Sequence, residues 1–284
     1  LGELTEPGGV ARGAQGGGRK SFRRARRRAP APLDRRIRMP QENADRLGYY
    51  LFFFRGLYIY LTIAAATLIA LLTRDPGPFA DPAADRVWVW ASIGVACAGA
   101  LIRIVTSGFA ALGTSGRVKR APEAAELNTT GPYSLVRNPL YVGRIVNYTG
   151  LAMLSGNVIF TVVVFVLSVI IYMRISRYEA AFLESKFGAQ FEKWAAETPL
   201  LFPRLTGWVK PKYAFWWKRM IWREQHKLFQ LAVGVFLAWF ARRGFSIDAI
   251  EPSEMVWIYG FGLAIILRLF IVGLSLSGYF KDMR

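Results

Sequence analysis

Long apolar runs constrain the fold of this chain more than any other feature of its sequence. The runs at 87–106 and 255–279 reach the roughly 20 residues that a helix needs to cross a bilayer. They stand in a chain of 284 residues that is 53% hydrophobic and has a mean hydropathy of +0.26. A soluble domain of this length would need more polar residues to cover its surface. The sequence therefore predicts an all-α, polytopic integral membrane protein.

Six apolar segments are candidate transmembrane helices, and we expect five to six spans. The fifth segment is the weakest candidate, because Arg242 and Arg243 follow it where the other spans predict the exterior. A re-entrant or interfacial helix is the alternative there. Ser253 is a candidate cap for the sixth segment, and Arg55 lies close enough to the start of the first to reach the interface. In chain order the segments are 51–72, 87–106, 140–154, 158–173, 228–240 and 255–279.

Two polar segments after the fourth span are expected to lie along the membrane surface. The segment 174–203 has apolar residues at helical spacing, which predicts one amphipathic surface helix. The basic, aromatic segment 210–227 is interpreted as a surface connector. The residues that define the apolar face of the expected helix are Leu183, Phe187, Phe191 and Trp194.

The charge distribution predicts the orientation of the chain in the membrane. The formal net charge is +18, and residues 1–40 hold eleven Lys/Arg against three Asp/Glu. Positively charged loops stay on the cytoplasmic side, so the N-terminus and the segments 107–138 and 174–227 are predicted there, with 73–86 outside. In a bacterium this would be the inner membrane. The Gly-, Pro- and Arg-rich tail 1–45 is predicted to be disordered and attracted to anionic lipid headgroups rather than nucleic acid.

The chain is poor in the residues that many catalytic sites require. Cys97 and His226 are its only cysteine and histidine. A disulfide framework, a His-rich metal site and a Ser-His-Asp triad therefore lose their usual components, and no metal site is expected. Whatever chemistry the chain performs must proceed without a constellation of imidazoles.

The sequence TGPYSLVRNPLYVG at 130–143 is the strongest candidate for a binding site. Asn138 and Pro139 favour the start of a helix, and a helix N-terminus can offer free N–H groups to an anionic ligand. Gly131 allows a tight turn before Pro132. Gly143 either admits a ligand close to the backbone or, with Gly150 two turns later, permits close helix packing.

Charged side chains on both sides of the hairpin 140–173 complete this candidate site. Arg137 and Arg174 would flank its mouth, with Arg144 nearby. A guanidinium can hold a carboxylate with two hydrogen bonds, and the Glu179 carboxylate can accept from a diol. Tyr141 is a candidate for stacking or hydrogen-bond donation, or alternatively an interfacial anchor.

Two motifs carry a resemblance to a known superfamily of membrane enzymes. GPYSLVRNPLYVG, followed by a hairpin and then by RYEAAFLESKFGAQFEKWAAETPLLFP, resembles the isoprenylcysteine carboxyl methyltransferase and phospholipid methyltransferase superfamily. The resemblance covers about 130–203. It departs from the usual pattern at Asn138, where a His is usual, at Ala180, where a second Glu is usual, and at Phe191 and Trp194, which replace tyrosines.

The resemblance implies a membrane methyltransferase that uses S-adenosylmethionine and a lipophilic acceptor such as an isoprenylcysteine carboxylate or a phospholipid amine. It implies a cofactor pocket facing the cytoplasm. We expect three parts in the chain: the basic tail at 1–45, a methyltransferase-like membrane domain at 46–210, and a C-terminal interfacial segment with two membrane helices at 211–284, which lies outside the resemblance. Catalytic roles are expected for Arg137, Arg174 and Glu179. Cofactor contacts are expected from Gly131, Pro132, Tyr133, Val136, Arg137, Asn138, Pro139, Tyr141, Gly143 and Glu179.

Two other interpretations remain open from the sequence. An NADPH-dependent reductase of the sterol or steroid type has a similar R-H-P-x-Y element and a terminal acidic segment. A non-catalytic membrane protein that retains the fold is the second alternative, because Asn138 and Ala180 replace residues that the superfamily usually carries. Cofactor binding separates these interpretations.

Overall fold

The apolar segments of the sequence form helices in the computed structural model, which describes residues 46–73, 78–111, 113–114, 122, 124–248 and 250–283. These residues contain no strand, and one isolated bridge joins Thr114 to Ala124. The expected tail 1–45 lies outside the described residues. The α-helices are α1 (Arg46–Phe54), α2 (Tyr58–Thr73), α3 (Pro82–Phe109), α4 (Pro139–Met153), α5 (Val158–Phe187), α6 (Ala189–Glu197), α7 (Trp217–Arg242) and α8 (Met255–Leu276). Short 3₁₀ helices form at Gly131–Ser134, Pro252–Glu254 and Lys281–Met283.

Three helical segments of the described chain are long and apolar enough to cross a membrane. They are α3, α5 and Pro252–Leu276, and the bent pair α1–α2 adds a fourth if it is counted as one span. Helix α4 has only 15 residues, and α7 begins with a highly charged half. The membrane character of the chain is therefore supported, whereas the expected count of five to six spans is not reached by these criteria.

The first predicted span is broken, so the expectation of one continuous helix at 51–72 was wrong. The axes of α1 and α2 differ by 68°. At the break, Arg55 Nη1 donates to the Phe52 carbonyl at 2.6 Å, and the guanidinium carbon lies 3.6 Å from the centre of the Phe52 ring. The next residue, Gly56, adds no side chain and is a weak helix former. Arg55 thus turns back over α1 instead of extending a straight helix.

Glycines bring α3 and α4 into close contact. A Cβ atom on Gly99 would lie 2.4 Å from the backbone nitrogen of Asn147, and one on Gly150 would lie 2.4 Å from that of Ala96. Gly143 faces α3 in the same way. These distances confirm the close-packing interpretation of Gly143 and Gly150, because any side chain there would separate the two backbones.

One end of the helix bundle carries compensated charges. Arg242, at the end of α7, forms an ion pair of 2.7 Å with Asp85 in the first turn of α3. Arg243 pairs with Glu254 just before α8 at 2.5 Å. The two arginines that contradicted the positive-inside count are therefore neutralised locally by acids. Ser253 is not the cap of α8, because Glu254 occupies its N-cap position; the capping box formed by Glu251 and Glu254 belongs to the 3₁₀ helix just before α8.

Helix α5 extends further than the sequence suggested. It runs for 30 residues to Phe187 and is capped by Gly188, whose φ of +51° an L side chain would rarely adopt. The predicted single surface helix within 174–203 was therefore wrong. Leu183 and Phe187 belong to α5, whereas Phe191 and Trp194 belong to α6.

The second half of the predicted surface connector 210–227 is the start of α7. There the side chain of Arg219 is buried and donates to the carbonyls of Ala110 and Ala111, which follow α3. A cation is favourable at this position because the carbonyl dipoles at a helix C-terminus point toward it. The basic residues of this segment thus fasten α7 to α3.

Candidate active site

A cavity of about 510 Å³ lies between five helices. They contribute the end of α3, the start of α4, residues 179–183 of α5, and parts of α6 and α7. Its volume falls in the range of pockets that hold cofactors and other small ligands. Its lining is mixed, with aromatic side chains, three carboxylates and several cations. The residues predicted from the sequence that line it are Tyr133, Arg137, Asn138, Tyr141 and Glu179, with Arg144 beside them.

The Gly-Pro turn positions Tyr133 at the cavity. Gly131 has φ +61°, which favours glycine, and its N–H donates to the Val209 carbonyl at 2.8 Å. Ser134 Oγ donates to the Gly131 carbonyl at 2.7 Å and closes the turn. The Tyr133 carbonyl accepts from Trp194 Nε1 at 3.2 Å, which fixes α6 against the turn. The turn therefore joins α6 and the connector to one wall of the cavity.

Arg137 holds the C-terminal end of α6. Its Nε donates to the Thr198 carbonyl and its Nη2 to the Ala195 carbonyl, both at 2.6 Å, while its backbone N–H donates to Pro199. Partial burial lowers the pKa of the Arg137 guanidinium. Two of the guanidinium's N–H donors thus hold α6 in position. The side chain therefore has a structural role as well as a place in the cavity lining.

Asn138 occupies the N-cap position of α4, as predicted, but its side chain does not cap the helix. Its Nδ2 instead donates to the Leu200 carbonyl at 3.3 Å. Pro139 is the first residue of α4, in agreement with the prediction. The Asn side chain therefore ties the start of α4 to the segment after α6.

Glu179 on α5 is held by Tyr141 on α4. The Tyr141 hydroxyl donates to Glu179 Oε1 at 2.8 Å, and the Tyr141 ring stacks on Tyr172 at a centroid distance of 4.9 Å. Arg144 Nη1 lies 3.2 Å from the Tyr172 hydroxyl. The ring stacking and the hydrogen bond together fix the orientation of the carboxylate at the cavity wall.

The other residues predicted for the site form its framework or lie elsewhere. Gly131 packs on Pro211, where an added Cβ would lie 3.2 Å from Pro211 Cγ. Gly143 is pressed against α3, and Val136 is buried. Arg174 is exposed on α5 and is not among the residues that line the cavity. The remaining framework residues are Pro132 in the 3₁₀ helix and Pro139 in α4.

Sequence reasoning missed the charged residues that α3 and α7 contribute. Arg103 is buried in α3 and donates from Nε and Nη2 to the Glu224 carboxylate of α7 at 3.0 and 3.1 Å. Lys227 and Arg223 line the same cavity. The available signal was Arg103 itself, because an ionisable residue inside an apolar span usually indicates a functional or paired group.

Metal-binding clusters are absent from the part of the chain that the structure describes, where no group of three or more His, Cys, Asp or Glu side chains could hold an ion. The cavity instead combines hydrogen-bond acceptors, guanidinium groups and aromatic rings. This arrangement suits an organic ligand that carries a hydroxyl-bearing part, an anionic part and a flat ring.

Comparisons with known proteins identify the region that contains the cavity. The family model for phospholipid methyltransferases matches residues 89–190, from α3 to the start of α6. No solved structure matches the chain. The matched range includes Arg103, Arg137, Tyr141 and Glu179, whereas α7 and α8 lie beyond it.

Two curated bacterial proteins are similar to the chain. The nickel-cobalt-cadmium resistance protein NccN of Alcaligenes xylosoxydans xylosoxydans is 30% identical over 179 residues, which cover 63% of this chain and 71% of NccN. The cobalt-zinc-cadmium resistance protein CzcN of Cupriavidus metallidurans is 39% identical over 80 residues, covering 28% of this chain and 37% of CzcN. The family match and the extended similarity to NccN agree with the motifs around Arg137 and Glu179. The chain therefore belongs to the phospholipid methyltransferase family.

Proposed function

We propose that this protein transfers a methyl group from S-adenosylmethionine to a lipophilic acceptor in the membrane. The observation that carries the proposal is the Tyr141–Glu179 pair at the wall of the cavity, within the region that the family model matches. It places a fixed carboxylate beside aromatic and guanidinium groups. These three kinds of group match the ribose, adenine and methionine carboxylate of S-adenosylmethionine.

The residues of the cavity fit this cofactor by their chemistry. Glu179 would accept hydrogen bonds from the ribose hydroxyls, with Tyr141 holding its carboxylate in place. Tyr133 and Trp194 would contact the adenine, and Arg137 would contribute positive charge toward the methionine carboxylate. Arg174 has no part in this proposal, because its side chain is exposed away from the cavity lining.

Methyl transfer requires little acid–base equipment from the protein. S-adenosylmethionine supplies a methyl group that is already activated by a positively charged sulfur. The protein must hold the acceptor atom in line and exclude water, and both tasks depend on a rigid wall. The Arg137 contacts to α6 and the stacked Tyr141–Tyr172 rings provide such a wall. Asn138, which cannot titrate near neutral pH, is compatible with this role.

The cavity is proposed to face the cytoplasm, with the N-terminus on the same side. The site end carries the connector and the start of α7, where residues 210–227 hold six Lys/Arg and a single Asp/Glu. At the opposite end the arginines are paired with acids, as described for Arg242 and Arg243. Positive-inside asymmetry supports the cytoplasmic assignment of the site end.

Binding and transfer assays on the full chain in a neutral detergent test this function. We expect saturable binding of S-adenosylmethionine, loss of at least tenfold in affinity for Glu179→Ala, and unchanged affinity for Glu184→Ala. Glu184 is the matched control because it is exposed on the same helix. Radiolabel from the methyl group should appear in extracted lipid. Binding of NADPH alone, or wild-type affinity in Glu179→Ala, would contradict the proposal.

A further inference from the structure

The chain between α3 and the Gly-Pro turn returns past the cavity proposed to hold the cofactor. Four of the five residues at 124–128, here called the strap, line this cavity. Ala124 and Leu127 are buried, whereas the Glu126 side chain is 37% exposed to solvent. The strap therefore forms part of the rim, with the cavity on one side and solvent on the other.

Hydrogen bonds fasten one edge of the strap to the residues that follow α3. Asn128 Oδ1 accepts from the Ala111 N–H at 2.8 Å, and Asn128 Nδ2 donates to Thr114 Oγ1 at 2.9 Å. Thr114 is only 1% exposed, and the Ala125 N–H donates to the Gly113 carbonyl at 3.1 Å. Water competes poorly for buried hydrogen bonds, so this edge holds its position.

A lysine holds the opposite edge of the strap. The Ala124 carbonyl and the Ala125 N–H belong to one trans peptide, so they point in opposite directions. The N–H points to Gly113, whereas the carbonyl accepts from Lys186 Nζ of α5 at 2.5 Å. Because Lys186 is exposed, water can compete for this contact.

The Glu126 side chain adds two further contacts. Lys212 Nζ and the Tyr213 hydroxyl, both in the connector that precedes α7, each donate to its carboxylate at 2.5 Å. The Lys212 side chain is 58% exposed, and salt screens ion pairs of this kind. Such pairs contribute little to stability, so they can break without unfolding the protein. We call the three donors Lys186, Lys212 and Tyr213 the latch.

The two edges of the strap differ in how easily they open. Methyl transfer requires that water be excluded while the cofactor reacts, yet the spent cofactor has to leave after each turnover. Segments that open for ligand exchange are the less stable parts of a protein, with few buried contacts. The latch meets this description, whereas the attachment at Asn128 does not.

We propose that the strap is a gate on the cofactor cavity, hinged at Asn128 and closed by the latch, which controls cofactor entry and product release. The inference rests on the proposed function for the identity of the ligand, whereas the movement itself does not depend on it. Neither Lys212 nor Tyr213 is among the described residues that line the cavity. They are therefore positioning residues that act on the bound ligand only through the strap.

Exchange rates of S-adenosylmethionine on the full chain in a neutral detergent test the gate. In Lys212→Met/Tyr213→Phe the association and dissociation rate constants should both rise at least fivefold, with the affinity changed less than twofold, because an open strap eases entry and exit equally. The Lys212 backbone N–H can keep its bond to Thr130 Oγ1, so the connector stays in place. Lys218→Met is the matched control, because its ion pair is with Asp282 and not with the strap. Unchanged rates, or a change in dissociation alone, would overturn the proposal.

A covalent link across the latch should have the opposite effect. In a Cys97→Ala background, Glu126→Cys and Lys212→Cys are joined by a short bismaleimide after S-adenosylmethionine has bound. The bound cofactor should then dissociate at least tenfold more slowly than from the same variant before linking. Dissociation at the same rate would show that the ligand leaves by another route, and the gate would be refuted.

A thiol label separates failure of the gate from failure of the proposed function. Leu183 of α5 lines the cavity, and Leu183→Cys in the Cys97→Ala background offers a thiol to a charged methanethiosulfonate reagent. Adding Lys212→Met/Tyr213→Phe should raise the labelling rate at least fivefold in the absence of cofactor. If this holds while S-adenosylmethionine fails to bind, the proposed function fails and the gate stands. If S-adenosylmethionine binds but neither labelling nor exchange responds, the gate fails and the proposed function stands.

Discussion

Arg103 and Glu224 form a buried ion pair between α3 and α7, with both side chains less than a tenth exposed and Nη2 2.9 Å from Oε2. The pair joins the family-matched region to a helix beyond it, across 121 positions of the sequence. Both side chains also line the cavity that Tyr141 and Glu179 line. The geometry of the site therefore depends on a contact that neither segment makes alone.

Removing one partner of this pair should destabilise the protein strongly. Glu224→Ala leaves the Arg103 charge buried without its carboxylate, which typically costs about 3–5 kcal/mol. The double variant Arg103→Met/Glu224→Met should recover most of the loss, because two apolar side chains leave no uncompensated charge. Unfolding by SDS in mixed micelles measures the free energies. The matched control is Lys218→Ala, which removes the exposed pair with Asp282 and should not shift the transition.

The close α3–α4 contact should not tolerate a methyl group at Gly150. A Cβ there would lie 2.4 Å from Ala96 N, so Gly150→Ala forces the helices apart, with an overpacking cost of about 1–3 kcal/mol. Gly94→Ala on α3 is the control, since nothing lies within 4 Å of its Cβ position. We expect Gly94→Ala to be neutral or stabilising, because Ala is the better helix former. Equal melting temperatures for the two variants would show that the contact is not tight.

The Arg137 side chain should control the order of α6. Arg137→Lys cannot reach both the Thr198 and Ala195 carbonyls with a fixed planar fork, so hydrogen exchange at 189–200 should accelerate. Lys193→Ala, an exposed change on α6 itself, is the control and should leave exchange unchanged. Because α6 carries Trp194 into the cavity, affinity for S-adenosylmethionine should fall in parallel in Arg137→Lys. Unaltered exchange would show that the two hydrogen bonds do not hold α6.

A pH-dependent contact should fasten the segment before the Gly-Pro turn. Lys212 Nζ and the Tyr213 hydroxyl each donate to the Glu126 carboxylate at 2.5 Å, and these bonds lower the pKa of Glu126 below its ordinary 4.5. A depressed carboxyl pKa stabilises the contact above that ordinary value, and the stabilisation is lost as the pH falls through the folded-state pKa. Limited proteolysis of 124–130 should therefore increase only in acid. In Glu126→Gln the cleavage rate should be higher at neutral pH and nearly independent of pH.

The local features of the site could be predicted from sequence because they depend on neighbouring residues. Pro139 begins α4 because its fixed φ suits a first helical turn, and Gly131 forms the expected turn. The family could also be recognised, since the motifs around Arg137 and Glu179 lie in the matched region. The break at Arg55–Gly56 was missed, because a run of apolar residues contains no information about a change in helix direction.

Other assignments required distances that no local pattern contains. The sequence offered Arg137 as a ligand for a carboxylate, but tertiary packing directs two of its donors to the end of α6. It offered Arg174 as its partner across the hairpin, yet the turn of α5 exposes that side chain. In a continuous helix of 30 residues, the position of a residue along the helix decides whether its side chain points to the cavity. The sequence prediction divided this helix at 174, so it could not assign the direction of the side chains correctly.

By itself the sequence determined that this is a helical membrane protein of a methyltransferase family with a polar site beside a hairpin, since apolar length, turn residues and motif spacing are local properties. Only the tertiary structure decided that α7 adds Arg223, Glu224 and Lys227 to the cavity that Glu179 lines, and that Arg103 has Glu224 as its counter-ion. The ion pair joins residues more than a hundred positions apart. The physical reason is that a buried charge is stable only where packing supplies its partner, and packing is a property of the folded chain.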